Sequence, residues 1–131
     1  MFNKKKQPPI RSLIADGSQI DGSFLFVDGL RVDGAVTGDV RARPDQPSIL
    51  VISETAAVVG AIYADHIIIN GSVKGPVHAN LMLELQPKAR IEGDVHYAAL
   101  EMHQGAIIAG QLRPIVGGEE KPTLKLAANN Q

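Results

Sequence analysis

The sequence predicts an all-β chain wound into a single solenoid, and two observations carry that reading: a recurring glycine cadence and a period-two alternation of apolar residues. Eight times a large apolar residue is followed two positions later by glycine and two positions after that by another large apolar residue. The copies centre on Gly22, Gly34, Gly38, Gly60, Gly71, Gly75, Gly93 and Gly110. With roughly a third of positions large and apolar and about a tenth glycine, chance gives on the order of one match, so the cadence marks an internal repeat. Ile67, Ile69, Gly71, Val73 and Ile91, Gly93, Val95, Tyr97 alternate strictly with other residues. The repeating element is therefore a strand, and no helical stripe competes with it.

Spacing gives the size of one coil. Gly93 to Gly110 is 17 residues, and Gly60 to Gly93 is 33, close to two such steps. Gly22 to Gly60 is 38 and Gly34 to Gly71 is 37. Both longer intervals contain Arg43-Pro44-Asp45-Gln46-Pro47, so a loop of about four extra residues bulges from an early coil. Glycine suits the corners of such a coil, where φ must be permissive or backbones approach closely. At ~4.8 Å per coil, roughly 103 residues make about six coils and a rod on the order of 30 Å long.

In chain order, residues 1–12 read as a basic, Pro-containing flexible arm. Residues 13–115 carry the repeat, and residues 116–131 read as a polar disordered tail. The first coil opens with Leu13, Ile14 and Ile20, and the last ends with Ile107, Ile108, Leu112 and Ile115. Solenoids ordinarily carry polar caps, because a terminal coil leaves backbone groups unpaired and apolar side chains bare. No amphipathic capping helix is legible here. The apolar ends are therefore expected to stack on one another, the alternative being that the two tails fold over them.

Composition narrows the function. A formal charge of −1 gives no global basic field, which argues against nucleic acid as the main partner. Five aromatic residues and no tryptophan leave the core to Val, Ile and Leu. Zero cysteines exclude disulfides and thiolate metal sites. No apolar run approaches the ~18 residues of a membrane span. Gln7-Pro8-Pro9 stands where the apolar region of a signal peptide would begin.

Catalysis finds little support. Gly71-Ser72-Val73-Lys74-Gly75 has the wrong order for a phosphate loop and reads as a repeat corner. Asp39 and Asp94 each follow a repeat glycine, which marks them as outward turn residues. His78 and His96 are 18 residues apart, about one coil, and are placed to stack on adjacent coils. Two ligands are too few for a metal site, and neither His66 nor His103 completes one. Tyr63 and Tyr97 read as packing residues. No catalytic, cofactor-binding or metal-binding residue is assigned, and no cofactor is expected.

The runs Val32-Asp33-Gly34-Ala35-Val36-Thr37-Gly38-Asp39-Val40 and Ala89-Arg90-Ile91-Glu92-Gly93-Asp94-Val95-His96, the second followed by Ala99-Leu100-Glu101, resemble the bactofilins. These are bacterial cytoskeletal proteins that form filaments without nucleotide, and the resemblance covers roughly residues 13–115. It implies a right-handed triangular β-helix with three short sheets, stacking through its terminal coils into non-polar filaments at the cytoplasmic face of the membrane. The implied polymer interface is Leu13, Ile14, Ile20, Ile107, Ile108 and Leu112. Cell-wall or morphogenesis proteins are the implied clients, although no residue identifies one. Two features depart from the family pattern: the Pro44 to Pro47 insertion, and Ile108 where members often carry an aromatic.

The arm Met1-Phe2-Asn3-Lys4-Lys5-Lys6 resembles the membrane-targeting peptide of part of that family. Its chemistry is that of a weak anchor, with Phe2 entering the headgroup boundary while Lys4, Lys5 and Lys6 face anionic lipid. At about 1 kcal/mol per lysine and roughly 1.5 to 3 for Phe2, the gross attraction is around 5 kcal/mol. Many copies on one filament turn a marginal anchor into stable attachment. A merely solvated basic terminus is the plainer reading. The rivals for function are a hexapeptide-like β-solenoid acyltransferase, which keeps a stricter six-residue period, and a β-helix scaffold that does not polymerise.

Overall fold

The structure is a computed structural model that describes residues 7–115. These residues form sixteen strands, and among them there is no helix. The strands wind as six coils. The first holds β1 (Ile10–Ile14), β2 (Gln19–Asp21) and β3 (Phe24–Phe26); the second holds β4 (Asp28–Val32), β5 (Ala35–Thr37) and β6 (Val40–Ala42). β7 (Ser48–Ile52), β8 (Ala57–Val59) and the start of β9 (Ile62–Ile69) make the third. The rest of β9, with β10 (Ser72–Lys74) and the start of β11 (Val77–Leu85), makes the fourth. The end of β11 with β12 (Arg90–Glu92) and β13 (Val95–Tyr97) is the fifth, and β14 (Leu100–Met102), β15 (Ile107–Ala109) and β16 (Leu112–Pro114) close the sixth. β1 thus begins at Ile10, so Ile10, Arg11 and Ser12, expected in the arm, belong to the first coil.

Every strand pairs in parallel with the strand one coil away, and the pairs define three faces. Face one stacks β1, β4, β7, β9, β11 and β14; face two stacks β2, β5, β8, β10, β12 and β15. Face three stacks β3, β6, β9, β11, β13 and β16. β9 and β11 run unbroken around the corner between faces three and one, which joins those faces into one sheet.

Register turns the period-two pattern into aliphatic columns. On face two Ile20, Val36, Val58, Val73, Ile91 and Ile108 lie one above another. On face one Ile14, Val32, Ile52, Ile69, Leu85 and Met102 do the same. The inner members of both columns are buried, and with Leu30, Leu50, Ile62, Ile67 and Leu83 they make one continuous core. Stacking like on like lets β-branched and leucine side chains fill a narrow interior without aromatic bulk.

The glycine cadence proves to be two corners. Gly22, Gly38, Gly60, Gly75, Gly93 and Gly110 all follow face-two strands and lead into face three, while Gly34 and Gly71 lead from face one into face two. At the first corner the backbones pack directly. Gly38 N donates to Val59 O at 2.8 Å and Gly60 N to Lys74 O at 2.9 Å, and a Cβ on Gly60 would overlap the Gly38 carbonyl. Residues 43–47 form a loop at the corner between faces three and one, where Val27 alone suffices one coil earlier. The insertion expected from the spacing therefore sits in the second coil, next to face three.

Candidate assembly surfaces

Each aliphatic column must end somewhere, and the two ends of the rod differ. At the C-terminal end the columns finish on Leu100, Met102, Ile108 and Leu112. Met102 is 45% exposed and Leu112 48%, with Leu100 and Ile108 half-buried. At the N-terminal end Ile14 is only 5% exposed and Phe26 4%, while Ile20 and Phe24 are half-buried. The first coil uses Phe24 and Phe26, two of the chain's three phenylalanines, where the second coil has Val40 and Ala42; the fifth coil has Tyr97 at the Phe26 position. The broad apolar face is thus the C-terminal one.

The six residues expected at a polymer interface divide accordingly. Ile20, Ile108 and Leu112 point along the interior columns of terminal coils. Ile14 belongs to the core. Leu13 and Ile107 alternate with buried neighbours and face outward from the sides, in register with Arg31 and Arg90. Leu100 and Met102, which sequence reasoning did not name, also end interior columns, and the two-residue alternation through them was the available signal. Met1, Phe2, Lys4, Lys5 and Lys6 lie outside the described residues, as does the tail from residue 116.

The outward side chains form ladders of their own. On face three Leu25, Arg41, Tyr63, His78, His96 and Arg113 stand in register. The Arg41 guanidinium lies 4.4 Å from the Tyr63 ring centroid, Tyr63 and His78 are 5.8 Å apart, and His78 stacks on His96 at 5.2 Å. Tyr63, expected as a packing residue, instead faces outward, whereas Tyr97 packs against the core. Burial, and then the neighbouring His96, holds the His78 pKa below its usual 6.5, which favours the neutral ring at neutral pH. Burial alone raises the Tyr97 phenol.

Asp39 and Asp94 are corner residues with a structural task. Asp39 Oδ1 accepts from the Ala61 N–H and Asp94 Oδ1 from the Gln111 N–H, both at 3.0 Å, so each tethers the next coil. The Gln111 amide, and then Arg113 at 2.9 Å, hold the Asp94 pKa below 3.8. A depressed folded pKa stabilises the fold above pH 3.8 and loses that contribution as pH falls through the folded value. Asp94→Ala is therefore expected to lower the thermal midpoint at pH 7, with the gap to the parent closing below pH 3.8. A gap independent of pH in thermal scans would contradict this role.

On face one Glu84 and Glu101 stand in register, and His103 Nε2 lies 3.4 and 3.1 Å from their carboxylates. Two like charges on adjacent rungs repel, and the His103 ring reaches both carboxylates. His66 sits apart beside Gln7, at 3.3 Å. Gly71 and Gly75 fall at two different corners with β10 between them, which is not the geometry of a phosphate loop. Among the described residues no helix is long and apolar enough to cross a membrane.

Parallel coils stacked around one aliphatic core, with short corners between three faces, define a modular β-solenoid. The bactofilin family profile, described as polymer-forming cytoskeletal, matches residues 12–113, and the chain belongs to the bactofilin family. No curated protein and no solved structure matches at the required significance. The chain is thus a cytoskeletal scaffold of a structural, polymer-forming family.

Proposed function

We propose that the protein polymerises end to end without nucleotide, at the inner face of the cytoplasmic membrane, where its filaments organise cell-shape or cell-wall factors. The observation that carries the reading is the terminal coil, where Leu100, Met102, Ile108 and Leu112 present one apolar face with no covering element among the described residues. Burying large side chains there contributes roughly 1.5 to 3 kcal/mol each. A second C-terminal face meeting the first through a two-fold axis buries all four residues twice over, which is the self-complementary logic of an isologous contact. The narrower N-terminal faces then meet in the alternate joint, giving a filament without polarity.

Electron microscopy of the purified, nucleotide-free chain tests this reading. Filaments are expected; a discrete trimer with affinity for acyl-CoA would instead select the acyltransferase alternative. Attachment falls to the N-terminal arm, by Phe2 insertion and lysine attraction. Phe2→Glu is expected to cut co-sedimentation with anionic liposomes by tenfold or more, since burial of Phe2 is worth about 1.5 to 3 kcal/mol. Equal pelleting of variant and parent would remove the arm from the mechanism.

A further inference from the structure

The chain has six arginines, all among the described residues. Four make short bonds: Arg11 to Asp28 at 3.0 Å, Arg31 to Asp33 at 2.9 Å, Arg113 to Asp94 at 2.9 Å, and Arg90 to the Ala89 carbonyl at 2.8 Å. The other two, Arg41 and Arg43, make longer ion pairs, with Asp39 at 3.7 Å and with Asp45 at 3.9 Å. Both line a single groove of about 280 Å³ between the inserted loop and face three. Tyr63, His78 and Asn80 line it with them.

At 3.7 and 3.9 Å these pairs are beyond hydrogen-bond length, so neither guanidinium donates a short side-chain bond. Asp39 is committed to the Ala61 N–H at 3.0 Å, which holds it at its corner. Asp65, the acid within the groove, accepts from Asn80 Nδ2 at 3.1 Å. Tyr63 supports the flat side of Arg41 at 4.4 Å, fixing the plane of its fork. A guanidinium so held suits an oxyanion, which it meets with two parallel N–H donors.

The path of the chain says where that oxyanion comes from. Gln7 Nε2 lies 3.3 Å from His66 Nδ1, and the cavity beside it is lined by Gln7, Pro8 and Pro47. That cavity shares Ser48 and Asp65 with the arginine groove. Gln7, the first described residue, therefore sits next to the loop. Six residues reach at most roughly 20 Å, so a surface engaged by Phe2 and the lysines lies within that distance of Gln7.

We propose that the groove under the 43–47 loop binds the phosphate of an anionic lipid headgroup through Arg41 and Arg43. The inference rests on the membrane reading of the arm and adds orientation to it: the arm attaches the rod, and the groove decides which side faces the bilayer. Tyr63 acts as a positioning residue for Arg41.

The test compares the full chain with R41Q/R43Q and with R31Q/K88Q, which removes the same charge from residues outside the groove. With vesicles of phosphatidylcholine containing phosphatidylglycerol, R41Q/R43Q is expected to need about 25-fold more lipid for half-maximal pelleting, from about fivefold per arginine. R31Q/K88Q is expected to stay close to the parent. Without lipid, filaments of the parent should broaden the ³¹P resonance of inorganic phosphate, and those of R41Q/R43Q should not. Equal lipid requirements for the two double variants would overturn the headgroup assignment, and broadening retained by R41Q/R43Q would overturn the phosphate site. The phosphate arm also separates this proposal from the arm itself: Phe2→Glu filaments should still broaden the resonance, and loss of broadening there would contradict an independent groove.

Discussion

Leu112→Arg is expected to leave a folded β-solenoid that no longer elongates. Leu112 ends an interior column that runs through Val95, Val77, Ile62 and Val40, and it is 48% exposed because no coil follows it among the described residues. A guanidinium there would be buried against apolar neighbours at the joint. Burying an uncompensated charge costs about 3 kcal/mol or more, which raises the concentration needed for assembly by over about a hundredfold. The fold itself is spared, since Leu112 lies on the terminal coil and its side chain can reach solvent in the monomer. Sedimentation velocity should show single or paired rods with unchanged β circular dichroism. Filaments at the parent's concentration would show that this coil is not the joint, and Met102→Arg, on the neighbouring column, repeats the test independently.

Gly60→Ala is expected to destabilise the fold itself, by about 3 kcal/mol or more. Its φ is 149°, a conformation that L side chains rarely adopt, and a Cβ there would overlap the carbonyl of Gly38 one coil earlier. The obstructing atoms are backbone, so no rotamer change relieves the contact, and the strain of about 1 to 3 kcal/mol for the dihedral alone is a lower bound. Gly22 separates the two terms. It too has positive φ, 128°, yet a Cβ there meets nothing within 4 Å because no coil precedes it. Gly22→Ala should thus lose only the backbone term. Thermal unfolding followed by circular dichroism should rank parent, Gly22→Ala and Gly60→Ala in falling order, and equal losses would contradict close coil packing at this corner.

The coil and its interruption were legible because a solenoid repeats one environment. The same corner needs glycine at Gly38, Gly60, Gly75 and Gly93, so the spacing between them counted coils and exposed the extra residues near Pro44. The one-coil offset likewise placed His78 on His96, as the 5.2 Å stacking bears out. What the pattern left open was direction. A period of two sorts residues into two sets without saying which faces inward, so adjacent Ile107 and Ile108 looked equivalent until register with Arg90 and Ile91 separated them. The same ambiguity hid the burial of Ile14 and the outward turn of Leu13. His103 was read as completing no site because it lies in a corner rather than on a strand, where its approach to Glu84 and Glu101 depends on how that corner folds.

The two ends of the rod also carry different weight for function. Coils in the middle differ little, so the interior specifies a rod but not its length. Length is fixed by where the columns stop, and they stop on exposed Met102 and Leu112 at one end and on better-covered Ile14 and Phe26 at the other. A joint between C-terminal faces is therefore expected to be the stronger of the two, and dilution should release rod pairs before single rods. The groove beside the 43–47 loop lies on the flank of the rod.

Helical reconstruction of filaments of the full chain by electron cryomicroscopy tests the central claim most directly. The account predicts rods lying along the filament axis with a strand spacing near ~4.8 Å, and Leu100, Met102, Ile108 and Leu112 buried at a two-fold joint. Rods lying across the axis, or joined through their flanks with Leu112 still in solvent, would contradict it.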